Sequence, residues 1–173
     1  IMTAVNAQLC DHNENMLFVT VFFAVINKQS LAMDYINAGH PSPYLIKENN
    51  VITELTSTNG IVLGIDEHAF FQSNKLMLPN NSYLVMYTDG LTEAQNKDKK
   101  LLGNDQLEQW FSKKIESVDS LQKLLVSKWN HYCDGVDKVD DCTLVIMGIT
   151  GISTSISNPL KVHFNNDIQE LIK

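Results

Sequence analysis

The chain has 173 residues, of which 44% are hydrophobic and 19% charged, so it can bury a core and is not a disordered tail. Its length fits one domain or slightly more. The formal net charge is -7, and all 13 basic residues are lysines. This balance argues against a nucleic-acid binder, because such proteins need a basic surface to displace counterions. It is typical of a soluble protein that concentrates cations.

Cysteine usage and hydropathy bear on the compartment. Cys10, Cys133 and Cys142 are an odd number without a paired spacing, so we expect no disulfide framework and a reducing cytoplasm. The longest apolar stretch, residues 17–26, is about half of what a membrane span requires. No signal-peptide pattern is visible, and the abrupt start at Ile1 predicts a piece of a longer polypeptide.

The first half of the chain predicts the end of a helix followed by antiparallel strands. Met2, Val5 and Leu9 have the spacing of the last turns of a helix. Residues 17–26 are β-branched and aromatic, which indicates a strand buried on both faces. Further strands, separated by turns, are predicted at residues 31–37, 44–47, 51–55, 70–78 and 83–87.

The spacing of the apolar residues then changes from the period of strands to that of helices. Asn104 is the expected cap of a first helix, and a second helix is expected to begin near Asp119. The apolar faces comprise Leu107, Trp110, Phe111 and Ile115 in the first helix and Leu121, Leu124, Leu125 and Trp129 in the second. An acidic loop at residues 134–141 leads into a last strand at residues 142–149.

Strands grouped apart from helices indicate the α+β fold class rather than alternating βαβ units.

Composition suggests the domain organisation. Residues 1–150 are expected to form one domain, and residues 151–158, rich in Ser, Thr and Gly, a linker. Residues 159–173 begin a new apolar pattern, which we interpret as the start of a following domain.

Acidic residues stand at the ends of two predicted strands. Asp89 follows the strand at residues 83–87 and precedes Gly90, and Asp140 and Asp141 directly precede the last strand. Carboxylates at the ends of neighbouring strands are ligands that Mg²⁺ and Mn²⁺ prefer, and a glycine lets the backbone approach closely. The alternative is that Asp-Gly is a turn and Asp-Asp a solvated loop, and the spacing alone leaves both interpretations open.

Several short segments form a series along the chain. They are Phe18-Val19-Thr20, Asn37-Ala38-Gly39-His40-Pro41, Leu63-Gly64, Tyr87-Thr88-Asp89-Gly90-Leu91-Thr92-Glu93-Ala94, Leu102-Gly103 and Asp140-Asp141-Cys142-Thr143-Leu144. In this order they resemble the metal-dependent PPM-type serine/threonine phosphatases (the protein phosphatase 2C superfamily), in their bacterial SpoIIE/RsbU-like branch. The resemblance covers about residues 1–150, and the order and spacing of the segments together make it specific.

The resemblance implies a fold and a site. The family fold is an α-β-β-α sandwich of two antiparallel sheets flanked by helices. Its site holds two Mn²⁺ or Mg²⁺ ions, which activate a water for in-line attack on a phosphoserine or phosphothreonine. Carried onto this chain, the metal ligands are Asp89 and Asp140. Asp141 is the weaker candidate, since adjacent residues on an extended chain point opposite ways.

The chain departs from the family pattern in its first part. A Gly-Asp-rich strand turn and an Asp-x-Ser-Gly-His-Gly segment carry the remaining metal carboxylates of the family, and neither occurs here. Residues 1–9 resemble the helix that follows the second of these segments. We therefore expect the C-terminal two-thirds of a phosphatase domain, without its N-terminal strands.

Polar residues near these motifs have simpler expected roles. His40 is expected to position the end of a strand rather than to transfer protons. The hydroxyls of Thr88 and Thr92 are expected to bind backbone groups, and Glu93 is expected either to be solvated or to brace the loop rather than to orient a metal-bound water. The lysines within residues 97–100 are expected to form a solvated tip.

The resemblance also implies a function. It indicates a cytoplasmic bacterial phosphatase that acts on a phosphoserine of a small anti-sigma-factor antagonist, in partner-switching control of transcription. The expected partners are that phosphoprotein, an upstream sensor or receiver domain and a second copy in a homodimer, with neither nucleic acid nor membrane. The alternative is a non-catalytic phosphatase-like module that binds its partner, and a third interpretation is a structural or dimerisation piece.

Overall fold

The computed structural model describes residues 1–56, 61–112, 114–136 and 140–150, and the backbone of the strand Leu160–Asn165. Within these ranges the elements are, in chain order, α1 (Met2–Cys10), β1 (Val21–Ile26), β2 (Ala32–Ala38), β3 (Tyr44–Ile46), β4 (Ile52–Glu54), β5 (Asn74–Met77), β6 (Ser82–Tyr87), α2 (Asp89–Thr92), α3 (Gly103–Trp110), α4 (Val118–Tyr132), β7 (Leu144–Ile149) and β8 (Leu160–Asn165). They form two compact units, the first comprising Ile1–Ser42 and Leu55–Leu78 and the second Pro43–Glu54 and Pro79–Lys173.

The first unit contains α1 and an antiparallel sheet with the strand order β1-β2-β5. Its core cluster consists of Met2 from α1 with Ala38 and Leu63, and Phe23 of β1 packs against this cluster. The turn before β2 is held by Asn27, whose side-chain oxygen accepts the N–H groups of the two residues before Leu31. The helix end, the turn and the second strand therefore follow the sequence prediction.

The prediction of a strand buried on both faces at residues 17–26 is wrong. The strand is confined to Val21–Ile26, and its residues are half-buried or exposed. Leu17 and Phe18 precede the strand and are 71% and 61% exposed. The physical reason is position, because β1 is one of the two outer strands of the described sheet and pairs with β2 along one edge, so no second neighbouring strand of this sheet covers it. The strand predicted at residues 70–78 is likewise shorter, at Asn74–Met77.

A fully buried asparagine fixes α1 to a loop of the same unit. The side chain of Asn6 donates to the carbonyl oxygen of Asp66 at 2.8 Å and accepts the N–H of Gly64 at 2.9 Å. Its exposed fraction is 0%. Asn13 donates to the carbonyl oxygen of Gly64 at 2.8 Å, so two side chains hold this glycine.

The second unit is an antiparallel sheet with the strand order β4-β3-β6-β7-β8 and three helices, α2, α3 and α4. The longest helix, α4, begins with a reciprocal cap between Ser117 and Ser120 and buries Leu121, Leu125 and Trp129, as its periodicity predicts. The cap predicted for α3 is wrong. That helix begins at Gly103, without a side-chain cap, and Asn104 lies inside it.

The last described strand extends the second sheet. β8 pairs antiparallel with β7, with Ile149 opposite Leu160 and Leu144 opposite Asn165. Residues 151–158, the predicted linker, lie outside the described residues, as do residues 166–173. A domain boundary near residue 159 therefore stays a prediction. The α+β fold class is confirmed, since the chain forms two antiparallel sheets with helices.

Two further results concern membrane spans and the cysteines. In the part of the chain that the structure describes, no helix has both the length and the apolar character needed to cross a bilayer. None of the three described cysteines, Cys10, Cys133 and Cys142, is in a disulfide.

Candidate metal centre

The candidate site lies where β6 ends and β7 begins. These strands are antiparallel neighbours, and Tyr87, the last residue of β6, is paired with Leu144, the first residue of β7. The chain that leaves β6 and the chain that enters β7 therefore meet at the same end of the sheet. The first carries Asp89 and the second carries Asp140 and Asp141.

Thr88 joins these two segments through both its backbone and its side chain. Its backbone N–H donates to the carbonyl oxygen of Thr143 at 3.1 Å. Its hydroxyl accepts the N–H of Thr143 at 2.9 Å and donates to the carbonyl oxygen of Asp141 at 3.3 Å. The expectation that this hydroxyl binds backbone groups is confirmed. Sequence reasoning did not foresee that those groups lie 53 and 55 residues further along the chain.

Gly90 lets the two segments approach each other closely. A β carbon at this position would collide with the carbonyl oxygen of Asp141 and would lie 2.9 Å from its carbonyl carbon. The glycine stands in α2, a single turn of helix that begins at Asp89. The sequence prediction that a glycine beside Asp89 permits close backbone approach therefore has a specific partner.

The carboxylates of Asp89 and Asp140 are each oriented by the peptide N–H that follows them. The Oδ1 atom of Asp89 accepts the N–H of Gly90 at 3.0 Å, and the Oδ1 atom of Asp140 accepts the N–H of Asp141 at 2.7 Å. All three aspartates at this end of the sheet are exposed. Asp141 contributes its backbone carbonyl to the contact with Thr88 and Gly90.

The donor chemistry fits a hard divalent cation. Carboxylate oxygens on short, hydrogen-bonded segments at a solvent-exposed edge are ligands for Mn²⁺ or Mg²⁺, which retain several waters. Among the described residues, His, Cys, Asp and Glu form no group of three or more that could hold a metal. Asp89 and Asp140 would thus hold part of a coordination shell, with waters completing it.

The strand that leads into the site is anchored by buried tyrosines. Tyr87 stacks on Tyr44 with ring centroids 6.0 Å apart, and the hydroxyl of Tyr44 donates to Glu108 of α3 at 3.1 Å. The pKa of Tyr87 is raised to about 12, chiefly by burial; the hydrogen bond with Tyr44 opposes this rise, and the carboxylates of Glu54 and Glu108 add to it. Burial likewise raises the pKa of Tyr44, with Tyr87 and Glu108 adding to the effect.

The other polar residues singled out from the sequence have separate surroundings. His40 lies in the first unit, where its Nδ1 atom is 3.2 Å from the hydroxyl oxygen of Thr20. Its backbone N–H donates to the side-chain oxygen of Asn37. These contacts fit the positioning role expected for it. The hydroxyl of Thr92 donates to the carbonyl oxygen of Asp89, as expected. Glu93 is exposed, and its backbone N–H donates to that same oxygen.

The lysine tip is an exposed turn with internal hydrogen bonds. Asn96 organises it, because its side-chain oxygen accepts the N–H groups of Asp98 and Lys100, each at 3.0 Å. Residues 97–100 are all exposed, which agrees with a solvated tip.

Residues 1–150 match the family model described as stage II sporulation protein E (SpoIIE), so the chain belongs to the SpoIIE family. The resemblance inferred from the sequence motifs is thereby confirmed. In the solved phosphatase domain of SpoIIE from Bacillus subtilis, from a Mn-presoaked crystal, the same fold recurs with a TM-score of 0.66 at 14% identity. That match covers 89% of this chain and 67% of the other.

Curated relatives are similar over part of their length. Protein IcfG of Synechocystis sp. is 30% identical over 139 residues, which is 78% of this chain and 21% of that protein. Phosphoserine phosphatase RsbU of Bacillus subtilis is 29% identical over 83 residues, which is 47% of this chain and 24% of that protein. The chain therefore spans about a fifth to a quarter of these relatives.

Proposed function

We propose that this chain is part of a Mn²⁺- or Mg²⁺-dependent protein phosphatase that hydrolyses a phosphoserine on a regulatory protein. The observation that carries the proposal is the contact of Thr88 and Gly90 with the segment from Asp140 to Thr143, which brings two candidate ligands to one end of the sheet. Membership of the SpoIIE family supports it, as does the similarity to a relative named as a phosphoserine phosphatase.

In this proposal each residue of the site has a limited task. Asp89 and Asp140 bind the cations, while Thr88 and Gly90 set the separation of the segments that carry them. Bound divalent cations would supply Lewis acidity, an activated water and neutralisation of phosphoryl charge. The chain has no arginine, so its residues offer no guanidinium fork for the phosphate. Phosphate recognition by this part of the protein would then depend on the cations.

We further propose the class of substrate and the setting. The substrate is a phosphoserine on a small protein of the anti-sigma-factor-antagonist kind, by analogy with the relatives of this family. Residues 1–150 belong to the phosphatase domain, residues 151–158 form a linker, and residues 159–173 begin a following segment. A sensor or receiver domain in the same cytoplasmic protein would regulate it, and a second copy would form a homodimer.

The test is hydrolysis of a phosphoserine protein by the natural protein that contains this chain. After removal of metal by a chelator, release of phosphate should stop, and it should resume when Mn²⁺ or Mg²⁺ is added back. Calcium, which prefers more ligands and longer bonds, serves as the comparison cation. Binding of the phosphoprotein without turnover at any Mn²⁺ concentration would instead support the non-catalytic module.

A further inference from the structure

We infer that Thr88 is a positioning residue of the cation site, and that its hydroxyl group sets the affinity for the divalent cation. The inference rests on the proposed function, since it concerns the same site. Thr88 precedes Asp89 directly, and its two side-chain partners, Asp141 and Thr143, flank Cys142 in the segment that begins with Asp140. The hydroxyl therefore lies between the two carboxylate-bearing segments.

The side chain adds a link that the backbone does not provide. The N–H of Thr88 donates to the carbonyl oxygen of Thr143 at 3.1 Å, a bond that any residue other than proline could make at this place. The hydroxyl does more, because it accepts from the N–H of Thr143 at 2.9 Å and donates to the carbonyl oxygen of Asp141 at 3.3 Å. Of the uncharged side chains of similar size, serine shares this donor and acceptor pair, and valine has neither.

The arrangement matters for a cation that is held from two segments. A cation bound by Asp89 and Asp140 requires a fixed separation of their carboxylates, and Thr88 joins the backbones from which those side chains extend. Groups that orient metal ligands without touching the metal typically change its affinity by roughly 10–100-fold when they are mutated. Loss of the hydroxyl should therefore weaken cation binding while the sheet stays paired through β6 and β7.

Thr92 offers a matched control. Its hydroxyl donates to the carbonyl oxygen of Asp89 at 3.3 Å, within the same turn of helix. The bond is similar in length to the one that Thr88 makes with Asp141, but it joins no second segment. Thr92→Val thus removes a hydroxyl three residues from Asp89 and leaves the link between the segments in place.

The experiment measures Mn²⁺ affinity by calorimetry in the natural protein that contains this chain, with Thr88→Val, Thr88→Ser and Thr92→Val. Thr88→Val should weaken Mn²⁺ binding by about tenfold. Thr88→Ser and Thr92→Val should both stay within about twofold of the unchanged protein. Hydrogen exchange without metal gives a second readout, because the N–H of Thr143 loses its acceptor in Thr88→Val and should exchange faster, while Thr88→Ser protects it. If thermal melting shows that Thr88→Val does not fold, Thr88→Ala takes its place.

The outcomes separate this inference from the proposed function. If the unchanged protein binds Mn²⁺ and folded Thr88→Val binds it equally well, the inference is wrong and the proposed function stands. If the unchanged protein binds neither Mn²⁺ nor Mg²⁺, the proposed function is wrong and the inference with it. Equal weakening by Thr88→Val and Thr92→Val would also overturn the inference, because hydroxyl loss anywhere in the turn would then be sufficient.

Discussion

Gly90 faces the backbone carbonyl group of Asp141 so closely that no side chain fits between them. The contact joins a turn of helix to the loop before β7, and Thr88 reinforces it with hydrogen bonds on one side. Because both surfaces are backbone, neither can move aside without moving the segment that carries a candidate ligand. A change in the packing of Gly90 against Asp141 would therefore also shift the segments that carry the candidate ligands.

Replacing Gly90 with alanine should destabilise the protein. Alanine is favoured over glycine in a helix by about 1 kcal/mol, so propensity alone predicts a gain in stability. Overpacking typically costs about 1–3 kcal/mol, and the obstacle here is a backbone carbonyl that cannot rotate away. Because a backbone obstacle places the cost in the upper part of this range, we expect a net loss of about 1–2 kcal/mol, measured by urea unfolding.

Gly148→Ala is the control for this prediction. A β carbon at Gly148 would meet a methyl group of Val118 at 2.7 Å, which is a side-chain obstacle that can shift. We expect a smaller loss of stability for this variant. A Gly90→Ala protein as stable as the unchanged one would contradict the close contact with Asp141.

Replacing Asp89 with asparagine should abolish metal-dependent turnover without unfolding the protein. Asparagine keeps the size of the side chain and an oxygen that can accept the N–H of Gly90, but it removes the charge of the ligand. We expect turnover to fall by about 100-fold or more. Loss of one carboxylate from an acidic group leaves the melting temperature unchanged or slightly raised.

Asp98→Asn removes a charge of the same kind from the exposed turn at residues 97–100. It should leave turnover close to that of the unchanged protein. A folded Asp89→Asn protein with similar activity would show that Asp89 is no metal ligand.

Stability should fall in strong alkali because of Tyr87. Its pKa is about 12 in the folded state against an ordinary value of 10.0, so the unfolded chain loses the phenolic proton first. The stabilising contribution is complete below pH 10 and is lost as the pH rises to about 12. Between these pH values the unchanged protein should lose about 2 kcal/mol more stability than Tyr87→Phe. The comparison uses the slopes of unfolding free energy against pH, and equal slopes would contradict it.

Asn6→Ala should be among the more destabilising polar substitutions in the first unit. It leaves the N–H of Gly64 without its partner in a buried place and removes the bond to the carbonyl of Asp66, which is partly buried. The expected cost is about 2–3 kcal/mol by urea unfolding. Asn13→Ala removes a bond to the same glycine at a half-buried place and two exposed bonds to Leu17; water can replace all three, so the cost should be about 1 kcal/mol. Equal costs for the two variants would contradict the role given to burial.

Phe18→Ser should reduce self-association without reducing stability. Phe18 is 61% exposed beside Leu17, and exposed apolar neighbours promote association. Its loss should change the free energy of unfolding by less than about 0.5 kcal/mol. Phe23→Ser serves as the contrast, because Phe23 packs against the cluster of Met2, Ala38 and Leu63 and its loss should destabilise the fold. Light scattering at increasing protein concentration, with thermal melting alongside, separates the two effects.

Local patterns predicted the elements better than they predicted burial. Asn27 holds its turn through its own side chain, so the signal lies within a few residues and can be read from the sequence. Residues 17–26 have the composition of a strand, but exposure depends on which strands lie beside it, and composition carries no such information. The error at Asn104 has another origin. Gly103 has a φ of +70°, and the chain turns there into a helix that already includes Asn104.

The candidate ligands Asp89 and Asp140 stay a prediction from the sequence, and the contacts between the segments that carry them could not be predicted from it. The motif around Asp89 and the Asp140–Asp141 pair indicated hard-cation ligands, because the residue types are those that Mn²⁺ and Mg²⁺ prefer. The register that pairs Tyr87 with Leu144 is a long-range property that no local pattern encodes. The link from Thr88 to Thr143 and the closeness of Gly90 to Asp141 follow from that register.

The placement of the aromatic rings determines what fluorescence can report about unfolding. The chain has two tryptophans, Trp110 in α3 and Trp129 in α4, and both are buried in the core of the second unit. Lys128 lies 5.8 Å from the ring centroid of Trp110, which makes its emission sensitive to the packing of these helices. Intrinsic tryptophan emission will therefore follow the second unit alone. A transition of the first unit will be silent in that signal and visible in far-ultraviolet circular dichroism, so any difference between the two melting curves measures how cooperatively the units unfold.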